Sequence, residues 1–595
     1  MSSIPERTHQ FTHSNNQRRA SVVYGSDFGK QGLFIPSDFF PSSLPSDRQH
    51  YHHFPPTTDE QAVEDYIPSS DETEPLLHVP STMALHLRRK SSVAQELIDQ
   101  ERELLNENHI SYVGGDDQVI EAFEDAVSKH KITGTTPIIE LKSLVRSSVP
   151  LVLTFLLQNS LSTVSVFMVG HLGATELAAV SMGAMTANIT GYATIQGIAT
   201  ALDTLCPQAF GAKKYTLVGT YLQKCCALLF TVMLPILFVW LFFAYDLITL
   251  ILPDKETAKL SAVYLQIVSA GIPAYVLFEC GKRFLQAQGI YHISTYVLLF
   301  AAPSNLLMNY LLVKHIGYLG APIAVAINYW FMIIGLMLCI LFYIKPEDTP
   351  TGLHPLKCWG GLNIREAFKG WGKLAQLAIP GLIMLEAEFL AFEIMTLLSS
   401  YLGTIALAAQ SIGTTMAALT YQIPFAIGIA SSTRIANYLG AGLGSAARTT
   451  VKVSLCFGLV ISTINFLLLY VFQRPIAKAF TNDEDVIRTV SGVMWLIALM
   501  QISDAMNANS AGCLRGQGQT KIGGIVNLFS YYVVGLPLSV YLSFYSPWSG
   551  SLHGLWIGSC VALTIIGGVQ SYYALFADFD KLCEDARKRT SVEHV

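Results

Sequence analysis

Residues 227–243 read Ala227-Leu-Leu-Phe-Thr-Val-Met-Leu-Pro-Ile-Leu-Phe-Val-Trp-Leu-Phe-Phe243, without one charged side chain. A similar apolar run covers Tyr329–Tyr343. A helix needs roughly 20 mostly apolar residues to cross a bilayer. Inside hydrocarbon every backbone N–H and C=O must find an internal partner, which a helix provides locally, and these runs are too long for barrel strands. The sequence therefore predicts an all-α polytopic membrane protein.

The composition of the whole chain agrees with this fold class. Of 595 residues, 51% are hydrophobic and 14% are charged, whereas soluble proteins carry about 25% charged residues. The net charge of −5 gives no reason to expect a nucleic-acid partner. The ten cysteines are scattered without metal-binding spacing, and we interpret them as small packing residues. We expect no metal and no cofactor, and we do not expect an enzyme, because no catalytic motif lies within an apolar run.

The apolar runs predict twelve membrane spans, six in each half of the chain. Their predicted limits are 145–170, 175–204, 217–245, 258–282, 291–313, 318–344, 368–401, 404–436, 449–472, 486–512, 521–545 and 551–577. The corresponding division of the chain is a disordered cytosolic tail at 1–140, a first lobe at 141–345, a cytosolic linker at 346–366, a second lobe at 367–578 and a cytosolic tail at 579–595.

Basic residues set the predicted orientation. With the N-terminal tail in the cytosol, the loops on that side carry more than twice as many Lys and Arg residues as the opposite loops. Lys282, Arg283, Arg434 and Arg515 are among those assigned to the cytosolic loops. Positive loops stay in the cytosol, so both termini are predicted to be cytosolic.

The chain also repeats itself. The segment His171-Leu-Gly-Ala-Thr-Glu-Leu-Ala-Ala-Val-Ser-Met-Gly183 resembles Tyr401-Leu-Gly-Thr-Ile-Ala-Leu-Ala-Ala-Gln-Ser-Ile-Gly413, and Pro150 matches Pro380 at the same spacing. Six spans per repeat make the two lobes parallel in topology. Parallel repeats are related by an axis along the membrane normal and leave a cleft between them.

Acidic residues within spans are the strongest functional candidates, because a charge at the bilayer centre is costly and is rarely kept without a role. The seventh span holds Glu386, Glu388 and Glu393, and the tenth holds Asp504. No basic residue lies near Glu388 or Asp504 within the same predicted spans. We therefore expect Glu388 and Asp504 to exchange protons, with Glu393 in support and Glu386 in the cleft. Asp203 and Glu279 lie near Lys282 and Arg283, where an ion pair is the simpler interpretation.

Uncharged residues within spans are weaker candidates. Gln158 and Asn188 are polar residues that more often bond neighbouring helices than bind substrate. Tyr421, Tyr531 and Tyr532 are aromatic residues that either line a cation site or only pack against neighbouring helices.

Several of these stretches resemble motifs of the multidrug and toxic compound extrusion (MATE) transporters, in their eukaryotic, fungal-type branch. Pro380-Gly-Leu-Ile-Met-Leu-Glu-Ala-Glu388-Phe-Leu-Ala-Phe-Glu393 is similar to that family's seventh-helix signature. Asp504-Ala-Met-Asn-Ala-Asn-Ser-Ala-Gly-Cys-Leu-Arg-Gly-Gln-Gly518 resembles its tenth-helix acid followed by Arg-Gly-x-Gly. Phe389 and Leu390 replace the two tryptophans of the signature, and Glu386 is an additional acid.

The resemblance implies two six-helix lobes in a V shape and export of organic cations, xenobiotics or metabolites in exchange for protons. It assigns cation coupling to Glu388 and Asp504, with Glu393 in support. In the expected mechanism a proton and a cationic substrate compete for these carboxylates. Sodium coupling and flipping of a lipid-linked substrate remain alternatives. An aspartate in the first helix, which the resemblance associates with proton-coupled bacterial members, is missing here.

Short motifs in the N-terminal tail predict regulation by phosphorylation and the membrane to which the protein is sorted. Ser21, Ser91 and Ser92 follow basic residues as in kinase sites, and Glu72, Leu76 and Leu77 form an acidic dileucine sorting motif. We therefore expect a kinase and a sorting adaptor as partners and a vacuolar or plasma membrane location. We also expect the protein to be a monomer embedded in the bilayer, with a small, cationic substrate.

Overall fold

The computed structural model describes residues 135–591, apart from 171, 251–253, 347–348, 350–353, 482 and 547–549, together with scattered positions between 102 and 126. The tail motifs at Ser21, Glu72, Leu76, Leu77, Ser91 and Ser92 lie outside the described residues.

Six helical spans form the first lobe. They are α1 (Pro137–Val169), α2 (Ala174–Ala187, a π-helical Asn188–Tyr192, Ala193–Ala199 and Leu202–Gly211), α3 (Tyr215–Phe242), α4 (Lys255–Val268, a 3-10 turn Ser269–Gly271 and Ile272–Ala287), α5 (His292–Ile316) and α6 (Gly320–Leu338 with a π-helical Cys339–Tyr343). The linker that follows contains the short helices Pro355–Cys358 and Ile364–Ala367.

Six further spans form the second lobe. They are α7 (Gly372–Ser400), α8 (Thr404–Gly440), α9 (Gly444–Val471), α10 (Glu484–Gln517), α11 (Thr520–Leu528, Phe529–Gly535, Leu536–Val540 and Tyr541–Tyr545) and α12 (His553–Leu575). A final amphipathic helix, α13, covers Phe579–Thr590. The twelve predicted spans are confirmed, with most boundaries shifted by a few residues.

Length and composition alone identify nine candidate membrane segments in the described residues, and the stretch His292–Tyr343 holds two spans. The remaining two spans, α2 and α7, fall short of these criteria. Exposed large side chains such as Phe238, Phe242 and Phe300 lie on the outside of the bundle, where lipid would cover them.

Local sequence accounts for where several helices begin. Thr136 precedes α1, and its hydroxyl accepts a hydrogen bond from the Ile139 N–H, with Pro137 as the first helical residue. Asp483 and Asp578 cap α10 and α13 in the same way. Such caps satisfy backbone N–H groups that a helix start leaves without partners.

The two lobes meet through helices that the repeat relates to one another. Helix α1 packs on α8, the repeat-related α7 packs on α2, and the ends of α2 and α8 cross each other. At that crossing Gly211 lies against the Asn437 carbonyl and Gly440 lies against the Gln208 carbonyl, so closely that a Cβ atom would overlap with either oxygen. This reciprocal contact is what a two-fold axis along the bundle requires. We call this end of the bundle, which also carries the start of α1 and helix α13, the tail face.

A buried ion pair reinforces the same face. Glu140 of α1 accepts hydrogen bonds from Arg434 of α8, at 2.7 Å from Nε and 2.5 Å from Nη2, and both side chains are fully buried. Tyr438 and Thr450 donate to the same carboxylate at 2.6 and 2.9 Å. A buried carboxylate needs this degree of hydrogen bonding to offset its lost hydration.

The part of the N-terminal tail next to the first lobe differs from the expectation. Helix α1 begins at Pro137, inside the segment predicted to be disordered. Leu105, Val119 and Phe123, also in that segment, are fully buried in a cluster with α8, α9 and α13. The prediction missed this because a segment poor in apolar residues can still pack when a preformed helical surface receives its few large side chains.

Four basic residues assigned to loops are instead buried within helices. Lys282, Arg283, Arg434 and Arg515 have exposed fractions of 2, 7, 0 and 2%. They lie in the last turns of α4, α8 and α10, which extend beyond the predicted limits. Burial is tolerable for Arg283 and Arg434 because acidic partners lie within ion-pair distance.

Candidate functional site

A cavity inside the second lobe lies among α7, α8, α10 and α11. The free space inside it is about 10 Å³, close to what one water molecule needs, and its lining residues are Gly381, Met384, Leu385, Glu388, Tyr421, Asn507, Ala511, Arg515 and Asn527. Apolar side chains and a few convergent polar groups are the usual make-up of a small-molecule site.

Glu388 is the acid that lines this cavity. One carboxylate oxygen accepts a hydrogen bond from the Asn507 Nδ2 at 3.3 Å. Among the described residues no cation lies within ion-pair distance of Glu388 or of Asp504. Asp504 is only 3% exposed, and its Oδ1 has no hydrogen-bond partner there. The structure thus leaves both acids available to a proton or a cation.

Glu386 and Glu393 lie apart from the cavity lining. Glu386 is half-buried and accepts a hydrogen bond from Thr194 of α2 at 3.3 Å, so it faces the other lobe. Glu393 is also half-buried, one turn and a half beyond Glu388 on α7.

The three tyrosines occupy different positions. Tyr421 lines the cavity and stacks on Phe425, with ring centroids 5.5 Å apart. Tyr531 is 2% exposed in the interior of the second lobe, and its hydroxyl has no hydrogen-bond partner in the described part of the chain. Tyr532 donates to the Ala387 carbonyl at 3.2 Å, which ties α11 to α7.

The first-lobe candidates form a separate polar cluster. Gln158 donates to Glu279 at 2.8 Å and accepts from Lys282 at 3.2 Å. Glu279 also pairs with Lys282 at 2.8 Å and with Arg283, which itself reaches Asp203 at 3.2 Å. The ion pairs expected for Asp203 and Glu279 are present, so we assign Gln158 to a structural network.

Asn188 belongs to neither cluster. It begins the π-helical turn of α2, and its side chain is exposed. Across the described residues no group of His, Cys, Asp or Glu has the arrangement of a metal site.

Arg515 is one of the cavity residues that sequence reasoning missed. The expectation that nothing basic lies near the acids was wrong, because Arg515 lines the same cavity as Glu388. It was assigned to a loop, although its place in the Arg-Gly-x-Gly stretch directly after the acidic span was a usable signal. Asn507 and Asn527 were missed because one sequence does not show which faces of α10 and α11 turn inward.

Comparison with known proteins gives consistent matches. The MatE family model matches residues 150–311 and 380–541. The two matched segments begin at Pro150 and Pro380, the prolines that the internal repeat aligns.

Individual relatives cover most of the membrane part of the chain. An uncharacterized transporter of Saccharomyces cerevisiae is 44% identical over 74% of this chain and 62% of its own length. Multidrug and toxin extrusion protein 2 of Mus musculus is 33% identical over 76% of this chain and 77% of its own. The crystal structure of the eukaryotic MATE transporter AtDTX14 superposes with a TM-score of 0.71 at 27% identity, covering 76% of this chain and all of that one.

Proposed function

Because the chain belongs to the MATE family of membrane transporters, we propose that it exports small, cationic compounds in exchange for protons. Members of this family are efflux transporters of drugs and other foreign compounds and not enzymes, which gives the class of function. The direction of exchange, the coupling ion and the shared site are the proposal.

One observation carries the proposal. Glu388 lines an interior cavity without a cation at ion-pair distance in the described structure, and Asp504 lies buried beside the same group of helices. A buried carboxylate without a permanent partner is costly as an anion, so it favours either a proton or a cationic ligand. The two occupants exclude each other, which is the basis of exchange.

The tail face supplies the second half of the mechanism. By the distribution of basic residues this face is cytosolic, and the contacts at Gly211, Gly440 and Glu140 close it. In this conformation substrate leaves on the opposite side when a proton takes its place on Glu388. Opening of the tail face then returns the site to the cytosol, where proton loss restores the anion. Differential binding of the two ligands drives the switch.

Reconstitution in liposomes tests the proposal. With an imposed pH gradient, Glu388→Gln is expected to slow uptake of an organic cation such as tetraethylammonium by at least about tenfold, equivalent to 1.4 kcal/mol. Glu484→Gln, a change at the exposed start of α10, is the matched control and should leave uptake unaltered. Undiminished proton-driven uptake by Glu388→Gln would remove that residue from the mechanism.

Sodium is the alternative coupling ion, since carboxylate and amide oxygens also bind it. Uptake measured at fixed pH with and without a sodium gradient separates the two ions. Faster uptake driven by sodium alone would replace the proton in this scheme.

The remaining proposals concern the tail and the location of the protein. We propose that the protein is a monomer. The dileucine motif at Leu76 and Leu77 favours a vacuolar membrane, and Leu76→Ala with Leu77→Ala is expected to move a tagged protein to the plasma membrane. Phosphate on Ser21, Ser91 or Ser92 would add nearly two negative charges to the tail.

A further inference from the structure

Helix α13 ends in the sequence Arg587-Lys588-Arg589-Thr590-Ser591. Basic side chains two and three residues before a serine form the charge pattern that basophilic kinases recognise in their substrates. Ser591 directly follows the last residue of α13, and its side chain is exposed. Unlike the serines of the N-terminal motifs, Ser591 lies within the described structure, so the surroundings of a phosphate at this position can be derived from the neighbouring contacts.

Lysines from both lobes contact the backbone around Ser591. Lys373, in the first turn of α7, donates to the carbonyls of Lys588 and Ser591, at 3.3 Å each. Lys214, which precedes α3 in the first lobe, donates to the Thr590 carbonyl at 2.9 Å. Lysine often caps the last carbonyls of a helix. Here the caps come from different lobes, so the end of α13 lies across the boundary between them.

Three cations at this site lack an acidic partner. Glu584 of α13 is already paired with Lys588 at 2.7 Å. The described residues offer no ion-pair partner to Lys214, Lys373 or Arg587. Burial, and then the neighbouring Arg587 and Lys373, lower the pKa of Lys214, so these three cations lie close enough to repel one another. An anion placed among them would relieve that repulsion.

A phosphate on Ser591 would supply such an anion. Phosphorylation adds close to two negative charges and three acceptor oxygens. Lys373 and Lys214 already contact the carbonyls of Ser591 and of the residue before it, so a rotamer change brings either ammonium group to the phosphate. Negative charge at the C-terminus of a helix is ordinarily unfavourable, but the helix end contributes only roughly half a charge. The cations therefore dominate, and charged hydrogen bonds of this kind are strong.

We propose that Ser591 is a phosphorylation site and that its phosphate binds Lys214 of the first lobe and Lys373 of the second, which holds the tail face closed. A basophilic kinase transfers the γ-phosphoryl group of ATP to the Ser591 hydroxyl oxygen, which loses its proton, and ADP leaves. A phosphate held by both lobes stabilises only the conformation in which they meet, so transport slows. This inference requires separation of the lobes at the tail face, but no particular substrate or coupling ion.

The modification is tested on the full chain with the three serines of the N-terminal motifs replaced by Ala. The purified protein is incubated with ATP and the catalytic subunit of cyclic-AMP-dependent protein kinase, and mass spectrometry locates the phosphate. Because Arg589 is mostly buried, the kinase needs the last turn of α13 to be released. A Gly440→Ala protein, in which the crossing of the lobes is disturbed, is treated in parallel. Absence of phosphate from Ser591 in both proteins overturns the proposal.

The effect of the phosphate is measured on transport and on stability. Phosphorylation is expected to slow uptake of tetraethylammonium by proteoliposomes at least about fivefold and to raise the thermal midpoint of the purified protein. Kinase treatment of Ser591→Ala should change neither quantity. Lys214→Gln and Lys373→Gln should each weaken both effects of phosphorylation. Lys369→Gln, at an exposed lysine four residues before Lys373, is the matched control and should retain them.

The two measurements separate this inference from the proposed transport function. A phosphate on Ser591 that leaves the thermal midpoint unaltered, or effects that are equally large in the Lys214→Gln and Lys373→Gln proteins, overturns the proposed bridge between the lobes. If the unphosphorylated protein takes up no cation, the proposed function is wrong, whereas the shift of the thermal midpoint still decides whether the phosphate connects the lobes.

Discussion

Glu388 differs from the neighbouring acids in its access to the cavity. Glu388 lines the cavity, Asp504 is buried near it, and Glu386 is hydrogen-bonded to Thr194 of the other lobe. The proton that displaces substrate would therefore arrive first at Glu388. Asp504 would serve as a second acceptor that keeps the pair of carboxylates from holding two full charges.

Neutralising Asp504 should impair exchange more than neutralising Glu393. Asp504→Asn preserves the shape and removes the charge, so pH-driven cation uptake is expected to fall at least about tenfold. Glu393→Gln should have a smaller effect, since Glu393 is half-buried whereas Asp504 is only 3% exposed. Uptake by both variants at equal protein density measures the difference. Equal losses would contradict this ranking of the two acids.

The acids of the site could be predicted from the sequence, whereas their partners could not. Carboxylates within apolar runs are conspicuous because the bilayer disfavours them. Arg515 was not recognised because the helix continues past the predicted span limit, which makes a residue counted as a loop cation part of the interior. From the sequence alone, Asn507 and Asn527 look like ordinary polar residues that bond neighbouring helices. The packing of the helices is needed to show that both line the cavity with Glu388.

Residues 579–595 were predicted to be a cytosolic tail. The structure shows that Phe579–Thr590 forms helix α13, which buries its apolar residues. Phe579, Leu582 and Ala586 are buried against the second lobe. At its other end Lys214 and Tyr221 of the first lobe donate to the carbonyls of Thr590 and Arg589 at 2.9 and 2.8 Å. The helix thus connects both lobes at the tail face.

Arg589 should contribute measurably to that connection. Its mostly buried guanidinium donates to the Gln208 side-chain oxygen of the first lobe at 3.5 Å and to the Gly518 carbonyl of the second lobe at 3.3 Å. Because a charged hydrogen bond contributes about 1.5–3 kcal/mol, Arg589→Ala is expected to lower the thermal midpoint of the purified protein by several degrees. Lys588→Ala is the control, since Lys588 is 67% exposed and pairs with the exposed Glu584. Equal shifts would argue against a bridging role for α13.

At the scale of the whole molecule, the crossing of α2 and α8 depends on two glycines. Gly211→Ala or Gly440→Ala places a methyl group on a backbone oxygen of the other lobe, so the tail face should no longer close. A cysteine placed at the buried Thr204 should then react at least about tenfold faster with a thiol reagent. Gly568→Ala, where nothing lies near the added atom, should leave the rate unaltered. An unreactive cysteine in the Gly440→Ala protein would contradict this role.

The Glu140–Arg434 pair should show strong coupling between the lobes. Removing one partner leaves a buried charge, so Glu140→Met or Arg434→Met is expected to cost about 3–5 kcal/mol of folding free energy. Glu140→Met combined with Arg434→Met should recover much of that loss, because both charges are then absent. Denaturant or thermal unfolding of the wild type, the two single variants and the double variant measures the interaction energy between the two residues. Additive losses would mean that the two residues act separately.

The architecture was more predictable than the contact between its halves. Span number and internal repeat follow from hydropathy and self-similarity, and both are confirmed. The role of Gly211 and Gly440 could not be predicted from the sequence, since a glycine at a helix end is usually explained by helix termination. Only the crossing of the two helices shows that these positions must lack a side chain.

The reciprocal glycine contact also affects how easily hydrogen ions or cargo could leak through the closed protein. Because backbone meets backbone at the crossing, no flexible side chain can swing aside and open a narrow water path while the lobes stay together. Permeation by hydrogen ions or cargo therefore requires the lobes to separate as bodies. Under the proposed proton exchange, a membrane that contains many resting copies would keep its pH difference, and the stored gradient would be consumed only when cargo moves.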